Sequence, residues 1–180
     1  MSRPASGGPE PDAPPPDGVE VRPAHPRDAR EALRLMADVA AEARFIRTED
    51  VRWTVREMRK RYRRSWTTDE ATIVAVAEGQ VIGNLGLSRE PNPVTRHVAS
   101  LGMHVAGDWR SRGVGSALLA EAFRWARWAG VEKLALTVYP DNDRARRLYE
   151  KFGFVEEGRL TGHSRKRHGY EDEIVMGRWL

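Results

Sequence analysis

Val105-Ala-Gly-Asp-Trp-Arg110-Ser-Arg-Gly113-Val-Gly115-Ser-Ala-Leu-Leu119 is the most telling run of this chain. It reads as a strand end, a short loop with a Gly-x-Gly pair, and the start of a helix. The first N–H groups of a helix have no partner within it and point outward. The helix dipole adds partial positive charge at the same place. Gly113 and Gly115 let an anion come close to the backbone, with Val114 and Ser116 at the same helix start. Arg110 and Arg112 add full charges beside it. Such a site suits a diphosphate. It is not a Walker loop, since no Gly-Lys-Ser/Thr follows. Nor is it the dinucleotide fingerprint, since only one Gly-x-Gly pair is present and no paired βαβ unit precedes it.

Working outward, Val98–Val105 is a strand and about Val114–Ala129 a long helix, stopped by Gly130. Leu134–Val138 is a strand, and Pro140-Asp141-Asn142 turns it into a helix that ends at Gly153. Toward the N-terminus, Thr72–Ala77 and Val81–Leu87 form a hairpin about Gly79-Gln80. Thr48, Glu49 and Asp50 are start signals for a helix over about 51–65, with the apolar stripe Val51, Val55, Met58 and Tyr62. An earlier helix, 27–43, places Leu33, Met36, Ala37 and Ala40 at helical spacing. Val19–Val21 is a short strand ended by Pro23. Phe154–Leu160 and Ile174–Trp179 are last strands joined by a polar loop, in which His163–His168 is a solvated basic run. This order, β-α-α-β-β-β-α-β-α-β-β, implies an α+β or mixed α/β domain around one twisted sheet of about seven strands, with about four helices.

Composition bounds the function. With 180 residues, 40% apolar and 31% charged, one globular domain is expected. The absence of cysteine excludes disulfides, thiol nucleophiles and thiolate metal centres. No apolar run approaches the roughly 20 residues that span a bilayer, and the start lacks the pattern of a secretory signal. A cytoplasmic protein without membrane contact is expected. Residues 1–18, Pro-, Gly- and Ala-rich, are expected to be a disordered tail before a domain at 19–180. Net charge is +4, and the basicity is concentrated in Arg52–Arg64. That argues for one electropositive face and against a nucleic-acid coat. Trp125 and Trp128, three apart on the long helix, read as packing residues. No His/Asp/Glu cluster has metal-ligand spacing.

A second motif lies after the strand Lys133–Val138: Asn142-Asp-Arg-Ala145-Arg-Arg-Leu-Tyr149-Glu-Lys-Phe-Gly153-Phe154. Ala145, Leu148, Tyr149 and Phe152 form one stripe of its helix, and Asn142 sits where an N-cap is expected. Together, Arg110-x-x-Gly113-x-Gly115 and Asn142-x-x-Ala145-x-x-x-Tyr149 with Gly153-Phe154 resemble the two signatures of the GNAT N-acetyltransferase superfamily. The tail Gly153–Gly158, Gly169–Asp172 and Met176 resembles the branch of bacterial acetylases of amino acids, polyamines and ribosomal-protein N-termini. The resemblance covers about residues 19–180.

The resemblance implies a three-layer fold and a set of roles. Gly113, Val114, Gly115 and Ser116 would present N–H groups to the pyrophosphate of acetyl-CoA, with Arg110 and Arg112 beside them. The strand through Met103 and Val105 would supply backbone groups to the pantetheine arm, in a gap where it diverges from the next strand. Tyr149 would protonate the leaving thiolate, and Asn142 would contact the pantetheine arm or the acceptor side besides capping its helix. Some members use a Glu on the strand before the phosphate loop as general base. Residues 98–105 contain none, which leaves His104, His97, or a water relay to Glu78, Glu42 or Tyr170.

The expected reaction is attack of a primary amine on the thioester, with acetyl-CoA as co-substrate and no metal. The acceptor reads as a small amino-acid-like amine with an anionic group. The basic helix, in the region that walls the acceptor pocket in such proteins, would repel a polyamine. A ribosomal-protein-type N-terminal acetyltransferase and a non-catalytic acyl-CoA-binding domain are the alternatives. Oligomeric state, a homodimer included, is left open by the sequence.

Overall fold

The computed structural model describes residues 12–42, 44, 51–167 and 169–180. Seven strands form one sheet: β1 (Glu20–Pro23), β2 (Glu70–Ala77), β3 (Gln80–Arg89), β4 (Val98–Val105), β5 (Lys133–Val138), β6 (Val155–Lys166) and β7 (Gly169–Trp179). Their order is β1-β2-β3-β4-β5-β7-β6. The α-helices are α1 (Ala29–Ala41), α2 (Val55–Tyr62), α3 (Val114–Ala129) and α4 (Asp143–Lys151).

The two-residue period of the strands divides the apolar side chains between the faces. Ile73, Leu85, Leu101, Leu134, Leu136, Ile174 and Met176 share the larger core with Leu118 and Phe123 of α3 and Tyr149 of α4. Val74 and Val81 meet Ala32, Leu35 and Val39 of α1 and Met58 and Tyr62 of α2 on the other face. The result is the three-layer α+β arrangement expected: α3 and α4, the mixed sheet, then α1 and α2.

The elements depart from the reading at several places. The buried stripe of α1 is Ala29, Ala32, Leu35, Val39 and Ala40, while Ala37 is exposed. Leu33 and Met36 of the expected stripe are partly buried against the same core; alanines lie all round this helix, so spacing alone misplaced only the edge of the stripe at Ala37. Helix α2 starts from a Thr54–Glu57 capping box; Thr48, Glu49 and Asp50 lie outside the described residues. The polar loop expected between 160 and 174 is instead most of the β6–β7 hairpin, with register shifts at Glu156/Gly158 and Leu160/Ser164. As an edge strand, β6 has one face in water, so polar residues there signal solvent and not a loop. Lys166, within the basic run expected to be solvated, is buried at 7% exposure. Finally, Trp125 is buried and its Nε1 donates to the Thr67 carbonyl at 2.7 Å. Trp128 is largely exposed, with its ring 6.0 Å from that of Trp66.

At the N-terminus, residues 1–11 lie outside the described set. Residues 12–18 are described: Ala13 packs against the larger core, and the Pro16 carbonyl accepts from the Val19 N–H at 3.0 Å.

Candidate active site

The parallel pair β4–β5 holds the site. These strands pair only at Val98–Lys133, Ala99–Leu134 and Ser100–Ala135. Beyond that, β4 stays with β3 as far as Gly83–Val105, and β5 stays with β7 as far as Val138–Ile174. Each strand follows its outer neighbour, so the sheet splits between Leu101–Val105 and Leu136–Val138. A cavity of about 380 Å³ fills the split. That volume is in the range of small-molecule sites, about 300–1,000 Å³.

At one mouth of the cavity α3 begins. Gly113 is its N-cap, at φ +88°, with no side-chain cap bond. A side chain there would be strained, which accounts for this glycine. Val114 turns its side chain fully into the core and so pins the helix start. Gly115 has a packing role of its own: a Cβ would come within 3.0 Å of Leu148 Cδ2 and 3.5 Å of Met103 Cε. Gly113, Gly115, Ser116 and the positive-φ Ser111 line the cavity. The first N–H groups of a 16-residue helix therefore face it with the positive end of the dipole.

The two loop arginines differ. The Arg110 guanidinium makes a bidentate pair with Glu42 at 2.6 and 2.7 Å, and its Nε donates to the Val105 carbonyl at 2.9 Å. It lines the cavity, yet its charge is matched and it ties the end of α1 to the end of β4. Arg112 lies outside the lining, 5.6 Å from the Trp109 ring centroid. A further cation reaches the cavity from α4: Arg144, whose pKa is lowered by burial and by the like charge of Arg110. Arg44, 3.8 Å from Asp141, also lines it.

From α4 come Asn142, Ala145, Leu148 and Tyr149. Asn142 caps the helix, its Oδ1 accepting from the Ala145 N–H at 3.2 Å. Tyr149 is buried, edge-on to Phe154 at 5.8 Å. Burial pushes its phenol up to about 12, so it is a protonated donor at neutral pH.

The split joins the two faces of the sheet. Met103 and Val105 pack on the α3 side, so the alternate residue His104 points to the α1 side, where Val39 and Glu42 line the cavity. His104 thus reaches the cavity, by the face opposite Met103. Of the other base candidates, Glu42 lines the cavity in its pair with Arg110, whereas His97, Glu78 and Tyr170 do not line it. No residue of 52–64 lines it either; the basic side chains of α2 are exposed.

Several lining residues were not anticipated: Ser111, Thr137, Tyr139, Arg144 and Glu173. Glu173 is the most consequential, a carboxylate 1% exposed at the inner wall. Its signal was its place directly before the strand read at Ile174–Trp179, since β7 extends back to Gly169. Among the described residues, no group of three or more His, Cys, Asp or Glu could hold a metal. No described helix is long and apolar enough to cross a membrane.

The sheet thus splits between its fourth and fifth strands over a helix start that has no side-chain cap. The chain belongs to the acetyltransferase (GNAT) family, whose model matches residues 30–154. It is 36% identical over 107 residues to the L-amino acid N-acetyltransferase AaaT of Escherichia coli, a match covering 59% of this chain and 66% of that protein. It is 29% identical over 156 residues to a mycothiol acetyltransferase of Thermomonospora curvata, covering 86% of this chain and 50% of that one. The chain therefore spans between half and about two thirds of these relatives. An acetyltransferase of the GNAT family from Streptococcus pneumoniae superposes with a TM-score of 0.84 at 28% identity, over 90% of this chain and 99% of that one.

Proposed function

We propose that the chain transfers an acetyl group from acetyl-CoA to the primary amine of a small amino-acid-like molecule, by direct attack. The observation that carries this reading is the split between β4 and β5 opening onto the bare N-terminus of α3, with the Tyr149 phenol at its wall. The likeness to a protein named as an L-amino acid N-acetyltransferase supports the acceptor class.

Acetyl-CoA would supply the thioester carbonyl as electrophile. The N–H groups of Gly113–Ser116 hold the pyrophosphate, aided by the helix dipole. The edge of β4 from Leu101 to Val105, which β5 leaves unpaired, offers peptide groups to the amide-bearing pantetheine arm. A donor N–H on that edge also stabilises charge developing on the carbonyl oxygen. Tyr149 gives a proton to the departing sulfur. The acceptor enters from the α1 side, the face of His104 and Glu42. Arg44 and Arg144 make the cavity electropositive, which suits donor phosphates and an acceptor carboxylate alike. Helix α2 takes no part in that selection.

The test is a panel of amines with acetyl-CoA, read as free thiol released: amino acids, their amides, a polyamine and a peptide with a free N-terminus. Amino acids should give the highest kcat/KM. Preference for the peptide would assign the N-terminal acetyltransferase activity instead, and no release with any amine beside tight CoA binding would leave a binding domain.

A further inference from the structure

We propose that His104 is the group that takes the proton from the acceptor's ammonium, and that Asn84, held by Tyr62, positions its ring. This rests on the acetyltransferase reading above and adds the base that reading lacks. Register sets the facing of His104. In the β3–β4 pair, Gly83 stands opposite Val105 and Asn84 opposite His104. A Cβ on Gly83 would lie 3.0 Å from Leu118 Cδ1 and 3.1 Å from Val114 Cγ1, so that pair faces α3. The two-residue period then turns Asn84 and His104 to the other face, where His104 lines the cavity with Val39 and Glu42. Tyr149 reaches the same cavity from α4, on the α3 face. An amine that attacks from one face of a thioester lying in the split, while the sulfur is protonated from the other, needs its proton acceptor on the α1 face.

The ring has a built support. Side chains directly opposite in an antiparallel pair stand about 4.5–5.5 Å apart at Cβ, so Asn84 is the immediate neighbour of His104. Asn84 Nδ2 donates to the Tyr62 hydroxyl at 2.8 Å, which turns the amide oxygen away from Tyr62 as an acceptor for a ring N–H. A proton fixed on one ring nitrogen leaves the lone pair on the other. Tyr62 is buried, and burial pushes its phenol up to about 12, so this support carries no charge at neutral pH. The backbone beyond His104 is tied twice: the Ala106 N–H donates to the Ile82 carbonyl at 2.9 Å, and Arg110 Nε to the Val105 carbonyl at 2.9 Å. Glu42, on the same face, has both oxygens held by Arg110.

The acceptor's ammonium loses one proton to the neutral imidazole, giving an amine with a free lone pair and an imidazolium, which passes the proton to solvent. The nitrogen loses a second proton as its bond to the acetyl carbon forms and the C–S bond breaks; that proton replaces the one Tyr149 gives to sulfur. The titratable and charged groups facing His104 are Tyr62 from α2, Glu42 with its partner Arg110, and, around the cavity, Arg44, Tyr139, Arg144, Tyr149 and Glu173.

The test measures His104→Gln, His104→Ala and Asn84→Asp with an amino acid acceptor, across pH, alongside acetyl-CoA affinity by calorimetry and thermal melting. His104→Gln should lower turnover by roughly 10²-fold or more and keep acetyl-CoA affinity. Its deficit should shrink for an acceptor whose amine is already neutral at the assay pH, since no proton then has to be removed. Added imidazole should restore part of the turnover of His104→Ala. Asn84→Asp sets a carboxylate beside the ring, which favours the imidazolium, so the acid limb of its pH profile should move to higher pH. Turnover of His104→Gln within about twofold of wild type at every pH overturns the proposal, as does a deficit equal for both kinds of amine. An acid limb unmoved in Asn84→Asp overturns the role of Asn84. If neither His104 variant melts cooperatively, that unmoved limb overturns the whole proposal. A wild-type protein that acetylates no amine sinks the acetyltransferase reading itself, and so is told apart from failure of His104 alone.

Discussion

Tyr149 is a packing residue to which the proposed mechanism gives a chemical role. Its ring belongs to the larger core beside Phe154, and the residue lines the cavity. Tyr149→Phe removes only the oxygen, so the fold and acetyl-CoA affinity should hold while turnover falls by about 10²–10⁴-fold. Steady-state kinetics beside calorimetry check this, and unchanged turnover over the whole pH range would make the residue purely structural. A second expectation concerns stability. Burial raises both Tyr149 and Tyr62 to about 12 from an ordinary value near 10. Above pH 10 the unfolded chain loses these protons while the folded one keeps them. Stability is therefore intact below pH 10 and falls as pH rises toward 12, by up to about 2–3 kcal/mol per tyrosine. Melting temperature measured from pH 9 to pH 12 should show the fall, and Tyr62→Phe should lessen it. At this scale the sequence was legible where a residue's role is local. Asn142 as a cap needed only its neighbour three positions on. Glu173 was not legible, because Ser164, which donates to it, comes from β6, and Tyr139, which donates to Ser164, comes from just past β5.

At the scale of elements, the start of α3 is where sequence and structure agree most closely. A strand end, a left-handed Gly113 and a helix without a side-chain cap follow one another within a dozen residues. Gly113→Glu should abolish CoA binding while melting shows the fold kept, though lowered, because φ +88° strains any side chain. Retained affinity in calorimetry would move the phosphate site elsewhere. The structure also gives Gly115 a reason that the motif did not. Leu148 of α4 and Met103 of β4 close over it, so this glycine brings three elements together at the cavity. The β6–β7 hairpin was half missed. A polar strand and a polar loop have the same composition, and only pairing with β5 and β7 tells them apart. The basic α2 has exposed side chains and lines no part of the cavity, as a solvated face would; charge in a sequence has no direction, and α2 packs against α1 and the Pro26–Asp28 turn.

For the whole molecule, the N-terminal segment is the point where composition and packing part. Its Pro- and acid-rich makeup predicts no order, yet Ala13 lies against the core and Pro16 Cγ is 3.5 Å from where a Gly113 Cβ would be. Removing residues 1–11 should leave melting temperature and CoA affinity unchanged. Removing residues 1–17 should lower the melting temperature by a few degrees, through about 1 kcal/mol of lost packing and one backbone hydrogen bond. Differential scanning calorimetry of the two truncations checks this; equal melting temperatures would show that the 12–17 segment contributes nothing to stability.

The sequence by itself determined the family signatures, the order of strands and helices, and the glycine at the start of α3. Those features depend on backbone preferences and side chains close together in the chain: a glycine that takes positive φ, an asparagine that caps, an apolar run with period two. The tertiary structure alone decided where the sheet splits, which face each strand residue shows to the cavity, and which carboxylate ends there. A β-strand's facing depends on its register against neighbours far away in sequence, and one bulge moves every later side chain to the other face. Thus Arg110 became a brace to Glu42, α2 a solvated face, and a glutamate from an apparent loop the innermost charge of the site.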